Sequence, residues 1–240
     1  MELNKQKITE PRHSYTEVWK IYFWTATIGR LSHGSCLTNQ LHHAALPEVL
    51  FWELNKQKIT ERRHSYTEVG KIYFWTATIH KWYNLLDKIE NKNLILDSLR
   101  FLSANGFVTI YSFVIMPNHI HLIWKLNKLN GKELPKASLL KFTGHKLLTQ
   151  LKHEKKDSRY LVEKMNKEHE IWQRDPLAIE IVSFEMARQK MKYIHYNPVG
   201  GKWRLSEDDV GYYYSSARFY ETGIDDFGFL NDLISVFTGN

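Results

Sequence analysis

The stretch FVIMPNHIHLIW, at residues 113–124, holds two histidines separated by one apolar residue. Apolar and β-branched residues on both sides predict two strands joined by a corner at residues 116–118. Side chains two positions apart in a strand point to the same face, so His119 and His121 can present two imidazoles to one point. Neutral imidazole is the commonest protein metal ligand, and a third ligand should come from elsewhere in the chain. The same spacing also fits two histidines on the solvated face of a half-buried strand.

The composition is that of a basic, globular chain. Its 240 residues carry a formal net charge of +7, and 14% of them are aromatic. Lys and Arg neutralise phosphates and aromatic faces stack on bases, so nucleic acid is an expected partner. The single cysteine, Cys36, excludes a disulfide framework and a cysteine zinc site within the chain. With neither a membrane-length apolar run nor a signal-peptide core, we expect a cytoplasmic protein that does not enter the membrane.

The first part of the chain contains a near-exact repeat. Residues 2–28 recur at 53–79 with only two differences, Pro11 against Arg62 and Trp19 against Gly70. Such identity indicates a recent duplication, because structural repeats drift and come in threes or more. Residues 1–52, which include a solvated histidine pair at 42–43, are therefore predicted to be a non-native extension. The catalytic domain is predicted at 53–199, and 200–240 form a tail that packs on it and is a candidate for DNA contact.

The second copy of the repeat runs directly into a series of regular elements. Apolar spacing predicts strands at 72–79, 107–115, 119–126 and 177–183, and helices at 82–105, 137–152 and 185–197. This order predicts an α+β fold of the ferredoxin-like kind, an antiparallel sheet with helices packed on one face.

The last predicted helix adds a phenol and an amide. Tyr193 and Asn197 are four residues apart, hence on one helix face, and Asn197 precedes Pro198 at the helix end. A tyrosine beside a metal that is held by two histidines and an amide oxygen suggests attack on a phosphodiester to form a phosphotyrosine link. By itself, Tyr193 reads more simply as a core aromatic residue with an exposed hydroxyl.

Several motifs in this order resemble a known family. MPNHIHLIW at 116–124, WQRD at 172–175, KYIHYNPV at 192–199 and the tail YYYSSARFYETGIDDFGFL at 212–230 are similar to those of single-tyrosine HUH transposases, and within them REP-associated tyrosine transposases. The match spans residues 65–229. The resemblance implies that His119, His121 and Asn197 bind Mg²⁺ or Mn²⁺, and that Tyr193 is the nucleophile. It also implies single-stranded DNA, often with a hairpin, as substrate.

Two further sets of residues follow from this interpretation. Tyr196 competes with Tyr193 for the nucleophile role, but it points about 100° away from Asn197 on a helix, which favours Tyr193. Candidates for DNA contact are the basic and aromatic residues Lys136, Lys141, Lys146, Arg174, Lys202, Trp203 and Arg204. A solvated amphipathic helix explains the first three equally well, and core packing explains Trp172 better than DNA contact does.

The sequence therefore predicts a metal-dependent enzyme that nicks and rejoins single-stranded or hairpin DNA, as a monomer or homodimer. Two alternatives stay open. One is a domesticated protein that binds DNA hairpins without cutting them. The other is a metal-dependent hydrolase that uses His119 and His121 with water as nucleophile, for which Tyr193 would be dispensable.

Overall fold

The computed structural model of the protein describes residues 66–164 and 167–238. The predictions for the duplicated segment, the pair at 42–43 and Cys36 lie outside these residues, so the division at residue 52 stays a prediction. No helix in the described part of the chain is long and apolar enough to cross a membrane.

A four-stranded antiparallel sheet forms the centre of the fold. Its strands stand in the order β2-β3-β1-β6, and a separate hairpin pairs β4 with β5. The strands are β1 Ile72–Thr78, β2 Val108–Ile115, β3 His119–Leu126, β4 Leu161–Lys164, β5 Lys167–His169 and β6 Leu177–Glu180. The helices are α1 Ile89–Ala104, α2 Pro135–His153, α3 Phe184–Tyr196, α4 Ala217–Thr222 and α5 Leu233–Thr238. The predicted ferredoxin-like antiparallel sheet is confirmed.

The main core lies between one face of the sheet and the helices α1 and α2. Alternate residues of β1 and β3 point into it, among them Trp75 and Trp124, whose ring centroids are 5.1 Å apart. Leucines of both helices cover the two indoles. Trp172 also belongs to this core, where its Nε1 donates a hydrogen bond to Thr143 Oγ1 on α2 (3.0 Å), so the interpretation of Trp172 as a packing residue holds.

Helix α3 packs on the other face of the sheet, which corrects the expectation that all helices share one face. The physical reason is the composition of β3, which is buried on both sides except at Lys125. A strand with two buried faces requires cover on both. Ala187, Met191 and Ile194 provide this cover from the buried stripe of α3.

The boundaries of two other elements differ from those predicted. The helix expected from residue 82 begins at Ile89, because Lys81 and Trp82 have positive φ angles of 51° and 57° and a short 3₁₀ turn at Leu85–Asp87 follows. It ends as predicted near residue 105, where Gly106 (φ 68°) allows the N–H of Phe107 to bond the carbonyl of Leu102. The β4–β5 hairpin was not predicted, because its charged residues give no clear alternation.

The segment after residue 200 lies against the β2 edge of the sheet. Isolated bridges join Val114 to Ser215 and Ile110 to Leu230. Phe227 packs edge to face on Phe113, with centroids 4.8 Å apart. These contacts cover an edge that would otherwise expose unpaired backbone groups.

Candidate metal and tyrosine site

The two histidines are the first and third residues of β3, next to the corner at 116–118. In the register of the sheet, Thr76 of β1 lies opposite His121, and Thr78 lies opposite His119. Both imidazoles point to the α3 face, with ring centroids 4.7 Å apart. They are buried, at 6% and 4% exposure, so the solvated-strand interpretation does not describe them.

Asn118 fixes the orientation of His119. Its Nδ2 donates to the carbonyl of Trp82 (3.1 Å), which leaves Oδ1 facing the imidazole Nδ1 of His119 (2.7 Å). An amide oxygen can only accept, so Nδ1 of His119 must carry the proton. The Nε2 atom of His119 is then the lone-pair nitrogen, which is the form a metal requires.

His121 is held by β1. Its Nδ1 lies 2.6 Å from Thr76 Oγ1, and its ring stacks on Phe74 with centroids 5.4 Å apart. Its Nε2 is buried and has no hydrogen-bond partner. A buried nitrogen without a hydrogen-bond partner destabilises the fold unless a bound ligand interacts with it.

Helix α3 brings the phenol and the amide to the same place. The Tyr193 ring lies 5.2 Å from that of His121 and 5.9 Å from that of Phe74. The side chain of Asn197, the residue that caps α3, acts on both His119 and Tyr193, because it favours the protonated imidazole and the ionised phenol. The structure thus brings together all four residues that the sequence assigned to the reaction.

Tyr196 is turned away from this group. It is 53% exposed, and its ring lies so close to Gly200 that a Cβ there would come within 2.6 Å of Tyr196 Cε1. The helix-face argument for Tyr193 therefore agrees with where each ring lies.

Burial and two lysines set the protonation of the site. Burial lowers the pKa of His119 to about 4, against an opposing hydrogen bond with Asn197, and the charge of Lys202 lowers it further. Burial also lowers the pKa of His121, with His119 and Lys190 adding to the effect. Both imidazoles are therefore neutral at pH 7. Burial raises the pKa of Tyr193, and the hydrogen bond with Asn197 opposes that rise.

The side chains at this place offer a divalent metal ion three ligands. Among the described residues, no three His, Cys, Asp or Glu side chains are grouped to hold an ion. A site here would therefore use two imidazole nitrogens and the amide oxygen of Asn197. The unpartnered Nε2 of His121 and the two neutral rings are what such an ion needs.

The DNA-contact candidates fall into two groups. Lys136, Lys141 and Lys146 belong to α2, on the far face of the sheet from the histidines, where Lys141 pairs with Glu133 (2.8 Å). Arg174 follows Trp172, whose backbone bridges to Ile79 just after β1. Lys202, Trp203 and Arg204 follow α3.

Within this second group, Trp203 comes nearest to the imidazoles. Its ring centroid is 6.0 Å from that of His119, with Lys202 Nζ 5.1 Å from the indole. Arg174 is 65% exposed at its side chain and lies 3.7 Å from Glu170. Arg204 has a positive φ of 43° just after Trp203.

Sequence reasoning missed four residues that contact the site, namely Phe74, Thr76, Trp82 and Lys190. Lys190 lies three residues before Tyr193, so helical spacing offered a signal for it. Thr76 and Phe74 share a face of β1, but only the strand register puts them at His121. No sequence pattern marked Trp82, whose ring is 6.0 Å from that of His119.

The solved structures that are similar to this chain include the following two. One is a REP-associated tyrosine transposase bound to a REP hairpin, at 17% identity over 72% of this chain and 93% of that one, with a TM-score of 0.49. The other is a protein described as a transposase from Deinococcus radiodurans R1, at 16% identity over 56% and 95%, with a TM-score of 0.33. No family model and no curated protein matches the chain.

Proposed function

We propose that the protein is a metal-dependent DNA transposase that nicks and rejoins single-stranded hairpin DNA through a covalent link to Tyr193. The observation that carries the proposal is that the rings of His119 and Tyr193 both lie about 5 Å from that of His121 (4.7 and 5.2 Å), with the side chain of Asn197 acting on His119 and Tyr193 alike. These contacts make one site of two histidines on a strand and a phenol on a helix. A buried histidine pair with only a structural role would need no such phenol.

In the proposed reaction, Tyr193 Oη bonds to phosphorus and the bond from phosphorus to one deoxyribose oxygen breaks. The phenol loses its proton and the departing sugar oxygen gains one. The phosphotyrosine link conserves the energy of the phosphodiester, so attack by the hydroxyl of another strand reverses the step and joins the strands without ATP.

Tyr193 must become more nucleophilic for this step. Its pKa is raised by burial from the ordinary value of 10.0, so the free protein holds it as a neutral phenol. Asn197 opposes that rise and so favours the phenolate. When bound by His119, His121 and Asn197, Mg²⁺ or Mn²⁺ would polarise the phosphate and stabilise the charge that develops there.

Two ammonium groups support a phosphate at this place. Lys190 Nζ lies 5.2 Å from the centre of the Phe74 ring, beside His121, and Lys202 acts on His119. The ammonium groups of Lys190 and Lys202 face neutral imidazoles and not carboxylates. A phosphodiester would provide the negative charge that pairs with them.

The test is formation of a covalent protein–DNA adduct on denaturing gels. Labelled hairpin DNAs with unpaired flanks are incubated with Mn²⁺ or Mg²⁺, with and without EDTA. We expect a metal-dependent adduct from the wild type, none from Tyr193→Phe, and a near-normal amount from the matched control Tyr196→Phe.

The alternatives give different results in the same assay. Binding without an adduct in any condition would favour the protein that only recognises hairpins. Cleavage that survives Tyr193→Phe would favour the hydrolase with water as nucleophile. An adduct lost in Tyr196→Phe and kept in Tyr193→Phe would reassign the nucleophile.

A further inference from the structure

Trp82 stands beside the site and is exposed to solvent. Its indole centroid is 6.0 Å from that of the His119 ring, at an interplanar angle of 68°. The residue is 57% exposed, although β1, which ends four residues earlier, is mostly buried. An exposed Trp contributes little to a core, so its large apolar face is available for a ligand.

The backbone at Trp82 is held in an unfavourable conformation. Lys81 and Trp82 have φ angles of 51° and 57°, and positive φ is an outlier for bulky residues. Two hydrogen bonds keep it there, from the Trp82 N–H to the carbonyl of Ile79 (2.9 Å) and from Asn118 Nδ2 to the carbonyl of Trp82 (3.1 Å). Strain that surrounding bonds enforce is concentrated at functional sites.

The amide that enforces this conformation is the same one that orients His119. Asn118 donates to Trp82 and accepts from His119. The indole and the metal-ligand candidate are thus positioned by one side chain. A residue placed for folding alone would have no reason to share that support.

The surroundings of Trp82 suit a nucleobase attached to phosphate. Trp203 approaches the same imidazole to 6.0 Å and carries Lys202 over its ring. Aromatic faces interleaved with cations bind unpaired nucleotides, because every base has a face to stack and every linkage a negative charge. A hydrophobic protein partner would gain nothing from the positive charges of Lys202 and Lys190.

We propose that Trp82 is a stacking residue for one unpaired nucleobase next to the phosphate that Tyr193 attacks. The inference rests on the proposed function and deepens it by naming the part of the substrate that this surface recognises. A base inside a duplex already stacks on its neighbours, so Trp82 selects for single-stranded flanks.

The test is equilibrium binding by fluorescence anisotropy, in EDTA so that no reaction occurs. Three probes are used: a hairpin with unpaired flanks, the same hairpin with abasic flanks, and a blunt duplex. The variants are Trp82→Asn, Trp82→Phe and the control Phe142→Ala, which removes an exposed aromatic side chain from α2 on the far face. Asn tolerates positive φ, so Trp82→Asn should fold and be at least as heat-stable as the wild type.

We expect Trp82→Asn to weaken binding of the flanked hairpin about 5- to 150-fold, the range given by base–aromatic stacking. Trp82→Phe should recover most of that loss, and the abasic probe should show no difference between the variants. Equal affinity of wild type and Trp82→Asn for the flanked hairpin would overturn the inference, as would an equal loss on the abasic or duplex probes.

The outcome for catalysis is read separately. Trp82-dependent binding without any covalent adduct would leave the stacking role intact and reject the proposed reaction. A wild type that binds none of the probes at low salt would reject both.

Discussion

The two imidazoles of the site are held by unlike partners. His119 is bonded to an amide oxygen that can only accept, so its tautomer is fixed. His121 faces the hydroxyl of Thr76, which can donate or accept. Only donation from Nδ1 of His121 leaves its buried Nε2 with a lone pair for a cation, so Thr76 is the residue that must accept for a metal to bind.

Replacing Thr76 with Val removes that hydroxyl while keeping the shape of the side chain. We expect Thr76→Val to lower Mn²⁺ affinity about 10- to 100-fold, the usual effect of removing a group that orients a histidine ligand. Isothermal titration with Mn²⁺ measures it. Thr109→Val is the matched control, since Thr109 accepts only from Asn127 at the distant end of β2. Unchanged Mn²⁺ affinity in Thr76→Val would contradict this role.

At the scale of elements, α3 carries the proposed nucleophile Tyr193 and is attached to the sheet in two ways. Its buried stripe covers β2 and β3, and His195 forms a buried hydrogen-bond group with Ser112 of β2 and Ser216 of the tail. Ser183 caps the start of the helix, and its hydroxyl accepts from the N–H of Met186 (3.2 Å). This cap satisfies one of the N–H groups that have no partner within the helix.

Loss of that cap should destabilise the protein without changing the site. We expect Ser183→Ala to lower the free energy of unfolding by about 1 kcal/mol, measured by urea denaturation with an unchanged dependence on urea concentration. The exposed Ser158, in a 3₁₀ turn after α2, offers a control as Ser158→Ala. A Ser183→Ala protein as stable as the wild type would show that tertiary packing alone holds the start of α3.

Element prediction succeeded where one periodicity dominated. Leu94, Leu99 and Leu102 mark α1 by their spacing, and the alternation at 119–126 marks β3. It failed at Lys81 and Trp82, where backbone bonds to other segments override helical spacing. The second buried face of β3 was visible in its unbroken apolar run, but which helix covers it depends on topology and not on local sequence.

For the site, too, the sequence predicts what lies within one element but not how the elements meet. His119 and His121 share a strand face and Tyr193 and Asn197 share a helix face, so each pair follows from its own element's geometry. Their meeting, by contrast, depends on how α3 crosses the sheet. Thr76 enters through the pairing of β1 with β3, and Trp82 through the bond from Asn118, which are both long-range consequences of the fold.

At the scale of the whole molecule, the distribution of charge limits where the proposed DNA substrate can lie. The lysines of α2 are separated from the histidines by the sheet and one of them is already paired with Glu133. Lys190 and Lys202 act directly on the imidazoles. A strand whose phosphate reaches Tyr193 therefore meets these two lysines first, and the α2 lysines would contact only a more distant part of the DNA.

These two lysines also make the site unfavourable for a cation in the absence of DNA. The ligand candidates are neutral, the nearby ammonium groups are positive, and no cluster of acidic residues compensates them within the described chain. A divalent ion would therefore bind weakly until a phosphodiester adds negative charge. Metal and DNA should then each strengthen the binding of the other by the same factor, as thermodynamic linkage requires.

We expect a single-stranded hairpin DNA to tighten Mn²⁺ binding by a factor within the usual coupling range of about 5 to 150. The titration uses a Tyr193→Phe background so that the DNA stays intact. Adding Lys190→Met should strengthen Mn²⁺ binding without DNA, because a repulsive charge beside His121 is gone, and should reduce the coupling factor. Lys141→Met on α2 should change neither. Equal Mn²⁺ affinity with and without DNA would mean that other groups already balance the charge of the ion.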